Sequence, residues 1–390
     1  MSEGSCTVLP YRGKKVAVIG ASYLQLPIIQ KLQELGAEVH VFAWEANDVG
    51  EKQADVFYPI SIVDRDSILN VCKEIGIDAV CTIGSDLAAI TVNYVANGLG
   101  LHGNPWQLTG QMVNKHAMRE AFVRGGDPSP KSFLVDNMTD LQALPISFPA
   151  IVKPTDRSGS RAVTKIWSLE EAPKAIEAAM EASFEHKAVL EDYLEGDEYS
   201  VECIAFDGEY EILAITQKFT TGEPNFIETG HIEPSNLSKE TAERVRKVVK
   251  HALGTLGIQC GAAHAEVMVD SEGNPSIVEI GARMGGDFIG SHLVPLSTGI
   301  DYLRAVVDTA FGNKPHVEPR FERAAGVRFI FEEHDLELLQ SASADPEISV
   351  VETVLQGELP SAGDVKDSSM RGGCFVIEGA SRDAVIRYTK

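Results

Sequence analysis

The stretch 264–287, HAEVMVDSEGNPSIVEIGARMGGD, limits what this chain can become more than any other. Two apolar runs, 264–269 and 276–281, flank SEGN, whose Gly273 suits a reversal. The spacing predicts a β-hairpin with a loop of about four residues. Setting Asp270 across from Pro275 places Glu266 opposite Glu279 and His264 opposite Gly281. Alternation along the strands then puts His264, Glu266, Met268, Ile277 and Glu279 on one face. Two facing carboxylates, with Cβ atoms roughly 5 Å apart, repel unless one is protonated, both reach water, or a cation lies between them. Taken alone, the pair reads equally well as a solvated acidic face. Its surroundings add more: Arg283 follows the second strand, and Gly285-Gly286 leaves the backbone open to close approach. Carboxylates that suit Mg²⁺, a guanidinium that suits an anion and bare backbone together point to phosphate chemistry.

A chain of 390 residues is too long for one ordinary core and predicts two to four domains. Its net charge of −23 argues against a nucleic-acid partner, which needs a concentrated basic surface, but not against nucleotides. No apolar run approaches the ~18 residues of a membrane span. The first residues, MSEGSCTVLPYRGKK, lack the pattern of a secretion signal, so the expectation is a cytoplasmic protein. Cys6, Cys72, Cys81, Cys203, Cys260 and Cys374 show no metal spacing and read as reduced thiols.

Upstream, KVAVIGA (15–21), AEVHVFAW (37–44), VFYPISIV (56–63) and DAVCTIGS (78–85) alternate with helical patterns, which predicts a parallel sheet with right-handed crossovers. The first turn, 20–25, reads GASYLQ, so a GxGxxG dinucleotide fingerprint is absent. A helix over 111–126 holds Lys115, which spacing alone makes a solvated surface charge. PAIVKP (149–154) sets Lys153 in an apolar strand, a costly place for an ammonium without an anion. The loop TDRSGSRAV that follows has hydroxyls and backbone amides able to cradle phosphates; a plain hairpin turn with an edge lysine is the competing reading. VLEDYLEG ends a strand abruptly, EYSVECIAF alternates, and Glu191, Glu195, Glu198 and Glu202 crowd this region. LAITQKF puts Lys218 at a strand end, FIETGHIEP places His231 in a loop, and 238–256 is a core-packing helix. AGVRFIFEEH and GGCFVIEGASRDAVIRY read as strands of a small closing domain.

In order and spacing these segments resemble the ATP-grasp superfamily over nearly the whole chain. PAIVKP…GS, VLEDYLEGDEYSVE and HAEVMV…VEIGARMGGD look most like its amino-acid ligase and carbamoyl-phosphate-synthase-like branches. The resemblance implies an α/β and α+β multidomain protein with the ATP-grasp fold. Its parts would be a Rossmann-like domain (1–103), a linker and helical part (104–148), a lid (149–207), a catalytic subdomain (208–312) and a small β-rich closing domain (313–390). It implies an ADP-forming carboxylate–amine ligase using ATP and Mg²⁺, with Mn²⁺ the other candidate ion. Lys115 and Lys153 would meet the α- and β-phosphates. Ser158, Gly159 and Ser160 would close over the triphosphate. Glu191 and the backbone near Leu194 would bind adenine, and Glu198 the ribose. Glu266 and Glu279 would hold the metal, and Arg283 the transferred phosphoryl. Lys218 and His231 fall where related ligases place phosphate- and substrate-contacting residues, with His231 as the base. A homodimer is a further expectation of the resemblance.

One position departs from the E-x-N-x-R pattern of that superfamily: Gly281 stands where Asn is usual. By the hairpin count His264 faces this gap, as a group to hydrogen-bond phosphate or substrate, because imidazole is a poor Mg²⁺ ligand. Asp287 or water would then complete the metal shell. A phosphoribosylglycinamide synthetase-like ligase and a non-catalytic ATP-binding regulatory protein are the two rival readings.

Overall fold

The computed structural model describes residues 9–223, 226–355, 359 and 368–390. Strands β1 (Lys15–Ile19), β2 (Glu38–Ala43), β3 (Val56–Pro59) and β4 (Ala79–Cys81) form a parallel sheet in the order β3-β2-β1-β4. Val16 and Val18 pack under the helices Leu26–Glu34 and Tyr302–Ala310, while Ala17, Ile19 and Phe42 meet the helices Arg65–Ile75 and Asp86–Leu99. Cover on both faces explains why these strands read as near-continuous apolar runs. The chain leaves β1 toward β2 and returns to its other side at β4, which opens a crevice at the strand ends. Gly84 there donates its N–H to Met284 O at 3.2 Å, joining this sheet to the end of the hairpin.

A second, antiparallel sheet holds β5 (Ser132–Val135), β6 (Ala150–Pro154), β7 (Thr164–Ile166) and β8 (Ala188–Asp192) in the order β5-β8-β6-β7. The helix Ala172–Ala182 lays Ala172, Ala175, Ile176 and Ala179 on it. This sheet takes in β5, which precedes position 149.

The third sheet runs β13-β12-β9-β10-β11-β14-β16-β15, from β9 (Asp197–Phe206), β10 (Glu209–Thr220), β11 (Glu228–Glu233), β12 (Cys260–Val269) and β13 (Pro275–Gly281) to β14 (Ala324–Ile330), β15 (Ile348–Leu355) and β16 (Gly373–Gly379). Strands read as a separate closing domain therefore continue the sheet that carries the hairpin. The helix Lys239–Thr255, capped by Ser238, packs Val245, Val249, Ala252 and Leu253 against Val201, Ala263 and Ala265. Helices also form over Glu333–Ala344 and Arg382–Thr389. The latter lies where a strand was expected.

The helix expected over 111–126 is broken at Asn114 into Thr109–Val113 and Lys115–Gly125. Asn114 has extended backbone and its side chain accepts from Ala117 N, so it caps the second helix. The hairpin forms with the expected pairs Glu266↔Glu279 and His264↔Gly281, but by another route. Val269, not Asp270, faces Pro275, and a bulge at Val278 restores the count. Ile277 therefore lies opposite Val267 in the core, away from Glu266. The bulge is fixed from outside: Arg119 Nη2 donates to Val278 O at 2.6 Å, and Ile277 N donates to Pro128 O at 2.8 Å.

Candidate active site

A cavity of about 610 Å³ separates the second sheet from the exposed face of β9, β10, β12 and β13. Every site residue singled out from the sequence lines it except His231 and Asp287.

Lys115 opens the helix Lys115–Gly125, and its N–H bonds Thr155 O at 2.8 Å, which stitches that helix to the end of β6. Far from being a solvated charge, Lys115 is 5% exposed. Its ammonium lies 2.9 Å from Glu279 Oε1 and donates to Arg157 O at 2.7 Å. Lys153, on β6, has the anionic partner that its setting demanded: Glu191 Oε2, 2.8 Å away on the adjacent β8. Arg119 Nε reaches Glu191 Oε1 at 2.9 Å. Burial alone would raise the Glu191 carboxyl, yet Arg119 and Lys153 hold it down to about 2. Both Glu191 oxygens are thus engaged by cations, and Glu191 also lines the cavity.

Over the cavity, Gly159 and Ser160 have left-handed backbone, with φ of 74° and 56°, and Ser160 Oγ donates to Phe226 O at 3.3 Å. Lys165 stands 3.8 Å from the Tyr193 ring centroid and pairs with Glu223 at 2.6 Å. Ser160 in the loop and Lys165 on β7 thus both reach the connection between β10 and β11 of the large sheet.

At the other end, Lys218 Nζ lies 2.6 Å from Glu198, 2.9 Å from Glu266 and 3.9 Å from Glu228. Burial pulls its pKa down, but the three carboxylates outweigh that and raise it well above the ordinary lysine value. His264 Nδ1 is 2.5 Å from Glu202 Oε1, and Glu202 Oε2 accepts from Gly285 N at 3.1 Å. Burial lowers the imidazole, Glu202 more than reverses this, and the pKa reaches about 9. His264 is therefore an imidazolium near neutral pH, with Nε2 3.7 Å from Glu266.

The facing carboxylates are relieved in a way not foreseen: each has its own lysine, Lys115 for Glu279 and Lys218 for Glu266. Among the described residues no group of three or more His, Cys, Asp or Glu side chains forms a ready metal cage. Two carboxylates beside a phosphate-sized cavity do suit Mg²⁺, which keeps waters and takes the rest of its shell from substrate oxygens.

Asp287 does not turn toward this pair. It bonds Arg371 Nη1 at 2.9 Å and lies 3.6 Å from His231 Nε2. His231 belongs to β11, not to a loop, and pairs with Lys218 across the ladder. It is 1% exposed and stands edge-on to Phe329 at 5.7 Å, and neither ring nitrogen has a hydrogen-bond partner among the described residues. Burial lowers its pKa below the ordinary histidine value. Arg283 is gripped by Asp86, Nε to Oδ1 at 2.9 Å and Nη2 to Oδ2 at 3.0 Å. The sequence reading missed Asp86, Arg119 and Arg371. Only Arg119 left a signal: it lies four residues after Lys115, on the same helical face.

Three sheets and this lysine- and carboxylate-lined cavity define an ATP-grasp fold. Residues 146–291 match the family model described as the ATP-grasp domain. Among solved structures, an L-amino acid ligase from Bacillus licheniformis superposes with a TM-score of 0.80 at 25% identity, covering 95% of each chain. A phosphoribosylglycinamide synthetase from Anaerococcus prevotii gives 0.74 at 19% identity over 95% of each chain, a likeness of fold. The alanine–anticapsin ligase of Bacillus subtilis (strain 168) is 31% identical over 245 residues, 57% of this chain and 51% of that protein. A D-alanine–D-alanine ligase of Cupriavidus necator is 24% identical over 70% of this chain and 81% of its own length. The chain spans about half the length of the first curated relatives it matches. No helix among the described residues is long and apolar enough to cross a membrane.

Proposed function

We propose that this protein is an ADP-forming ligase that joins a small carboxylate, an amino acid or a similar molecule, to an amine at the expense of ATP. The observation that carries this reading is the meeting of Glu266 and Glu279 across the hairpin, each beside a lysine, in a cavity that also holds Lys153 and Arg283. The names of the relatives, alanine–anticapsin ligase and L-amino acid ligase, point the same way.

Lys115 and Lys153 would neutralise the α- and β-phosphates, and Glu266 and Glu279 would hold Mg²⁺. When bound, the ion supplies charge neutralisation on the phosphate oxygens. A carboxylate oxygen of the substrate attacks the γ-phosphorus, ADP departs, and an acyl phosphate results. The amine nitrogen then attacks the acyl carbon, phosphate leaves, and one proton is lost from nitrogen. Phosphoryl transfer depends on positioning and charge, and Arg283 provides both for the moving group. His231 would be the base in this scheme: burial lowers its pKa, and neither ring nitrogen has a hydrogen-bond partner among the described residues. It lies outside the cavity lining, however, and must gain access to the amine to act. The loop 158–160 keeps water from the acyl phosphate. No step forms a covalent bond to the enzyme.

The test is to incubate the chain with Mg·ATP and pools of amino acids, or with phosphoribosylamine plus glycine, and to measure ADP and phosphate. Amino-acid-dependent ADP supports the proposal. Dependence on phosphoribosylamine would keep the reaction class but overturn the assignment to an amino-acid ligase. ATP binding without turnover, or release of AMP and pyrophosphate, would refute the proposal.

A further inference from the structure

The contact between Asp86 and Arg283 joins two parts of the chain 197 positions apart. Asp86 is the first residue of the helix Asp86–Leu99, beside the end of β4, whereas Arg283 follows β13. Both side chains are largely buried, at 20% and 15% exposure, and the pairing is bidentate. Burial opposes the charge on Asp86, but Arg283 more than offsets it and the carboxyl stays below its ordinary value. One edge of the guanidinium is occupied in this way, which fixes its plane while Arg283 still lines the cavity.

Gly281 gives a second, independent observation. Its backbone is not left-handed, and it sits in a regular pair with His264, so conformation does not require glycine. Space does. A Cβ added there would come 2.8 Å from Asp86 Oδ1 and 3.2 Å from Arg283 Cζ. A side chain at 281 therefore requires the Asp86 carboxylate or the Arg283 guanidinium to shift from the position it holds here.

We propose that Asp86 is the positioning residue for Arg283, and that position 281 is glycine because the Asp86 carboxylate occupies the space a side chain would need. The parallel sheet region thereby completes the reactive end of the site from across the cleft, and the catalytic arginine is aligned only when the two regions are docked. This inference rests on the proposed ligase reading for its kinetic consequence, but the clamp itself can be read without turnover.

The experiment compares Asp86→Ala, Asp86→Asn, Gly281→Ala and the double variant Asp86→Ala/Gly281→Ala in the full chain. Phenylglyoxal modification of Arg283, followed by peptide mass, reports the clamp directly. Its rate is expected to rise about fivefold or more in both alanine variants, and less in Asp86→Asn, which keeps one acceptor. In ADP-release kinetics, kcat is expected to fall about tenfold or more for Asp86→Ala and for Gly281→Ala. KM for ATP should stay within about twofold, because the lysines hold the nucleotide. The double variant should be no worse than the poorer single one, since both break the same contact. Wild-type modification rates in both alanine variants would overturn the proposal, as would losses that multiply in the double variant. If Asp86→Ala does not fold, Gly281→Ala and Asp86→Asn carry the same comparison. If the wild-type chain turns over no substrate, the ligase reading fails, and the modification rates still judge the clamp.

Discussion

Lys115 and Glu279 are 164 positions apart in the chain and 2.9 Å apart in space, Nζ to Oε1. The same distance separates Lys218 from Glu266 on the facing strand. Two ammonium groups thus cancel the repulsion that the hairpin register would otherwise impose. Both lysines also line the cavity, so a polyphosphate entering with its counter-ion would offer each of them, and each glutamate, a new partner.

Glu279→Gln follows directly from that arrangement. The substitution keeps shape and hydrogen-bonding capacity but removes one of the two charges able to hold Mg²⁺. It should lower ADP formation about a hundredfold or more while leaving the far-UV circular dichroism spectrum unchanged. The thermal midpoint should fall, because the buried Lys115 loses its anionic partner. Full activity in this variant would remove the metal assignment.

The Arg119–Glu191–Lys153 triad predicts a stability effect separate from catalysis. Arg119 and Glu191 are 3% and 2% exposed, and removing the guanidinium leaves a buried carboxylate with one cation instead of two. Arg119→Leu should destabilise the protein by about 3 kcal/mol in urea unfolding. Replacing Glu191 by Leu as well should not recover that loss, because Lys153 is then left buried without its anion. Adding Lys153→Met removes the last stranded charge and should recover much of it. A triple variant (Arg119→Leu, Glu191→Leu, Lys153→Met) less stable than Arg119→Leu would show that the triad is worth more than its desolvation costs.

If His231 is the base of the proposed scheme, it separates the two half-reactions. Its ring would then be needed only when the amine attacks, so His231→Asn should slow amide formation about a hundredfold while still allowing the acyl phosphate to form. Hydroxylamine, a good nucleophile without a base, should trap that species as a hydroxamate at close to the wild-type rate. Loss of hydroxamate together with amide would assign His231 to the first step instead.

The alternation of short elements made the parallel sheet readable, because strands buried on both faces and amphipathic helices leave strong local patterns. The pairing of Glu266 with Glu279 was readable too, though partly through two cancelling errors: a one-residue slip at the turn and an unforeseen bulge at Val278. That bulge depends on Arg119 and Pro128, which reach β13 from elsewhere in the chain, so nothing local announces it. For the same reason Lys115 looked like a surface charge. Its burial is set by Thr155, Arg157 and Glu279, none of which is a sequence neighbour. His231 was misplaced in a loop because its strand, Glu228–Glu233, is short and carries polar residues inward. Asp86, in turn, shows its purpose only once the parallel sheet is docked against the hairpin.

Glu233 provides a test by pH. It is 1% exposed at the end of β11, with Thr216 Oγ1 donating to it at 2.6 Å and the Ser297 hydroxyl on its other oxygen. Burial pushes its carboxyl up to about 7, against an ordinary 4.5. The folded protein then binds more protons than the unfolded chain between these two values, so this group's contribution is fullest below pH 4.5 and declines as pH rises through 7. Above that, folding must bury a carboxylate whose partners among the described residues are hydroxyls, at a cost of about 3 kcal/mol. Glu233→Gln removes the titration and keeps the shape. It should raise the urea midpoint relative to wild type at pH 8, and the advantage should shrink steadily as pH falls toward 5. An advantage of equal size at both pH values would mean that packing, rather than the buried charge, separates the two proteins.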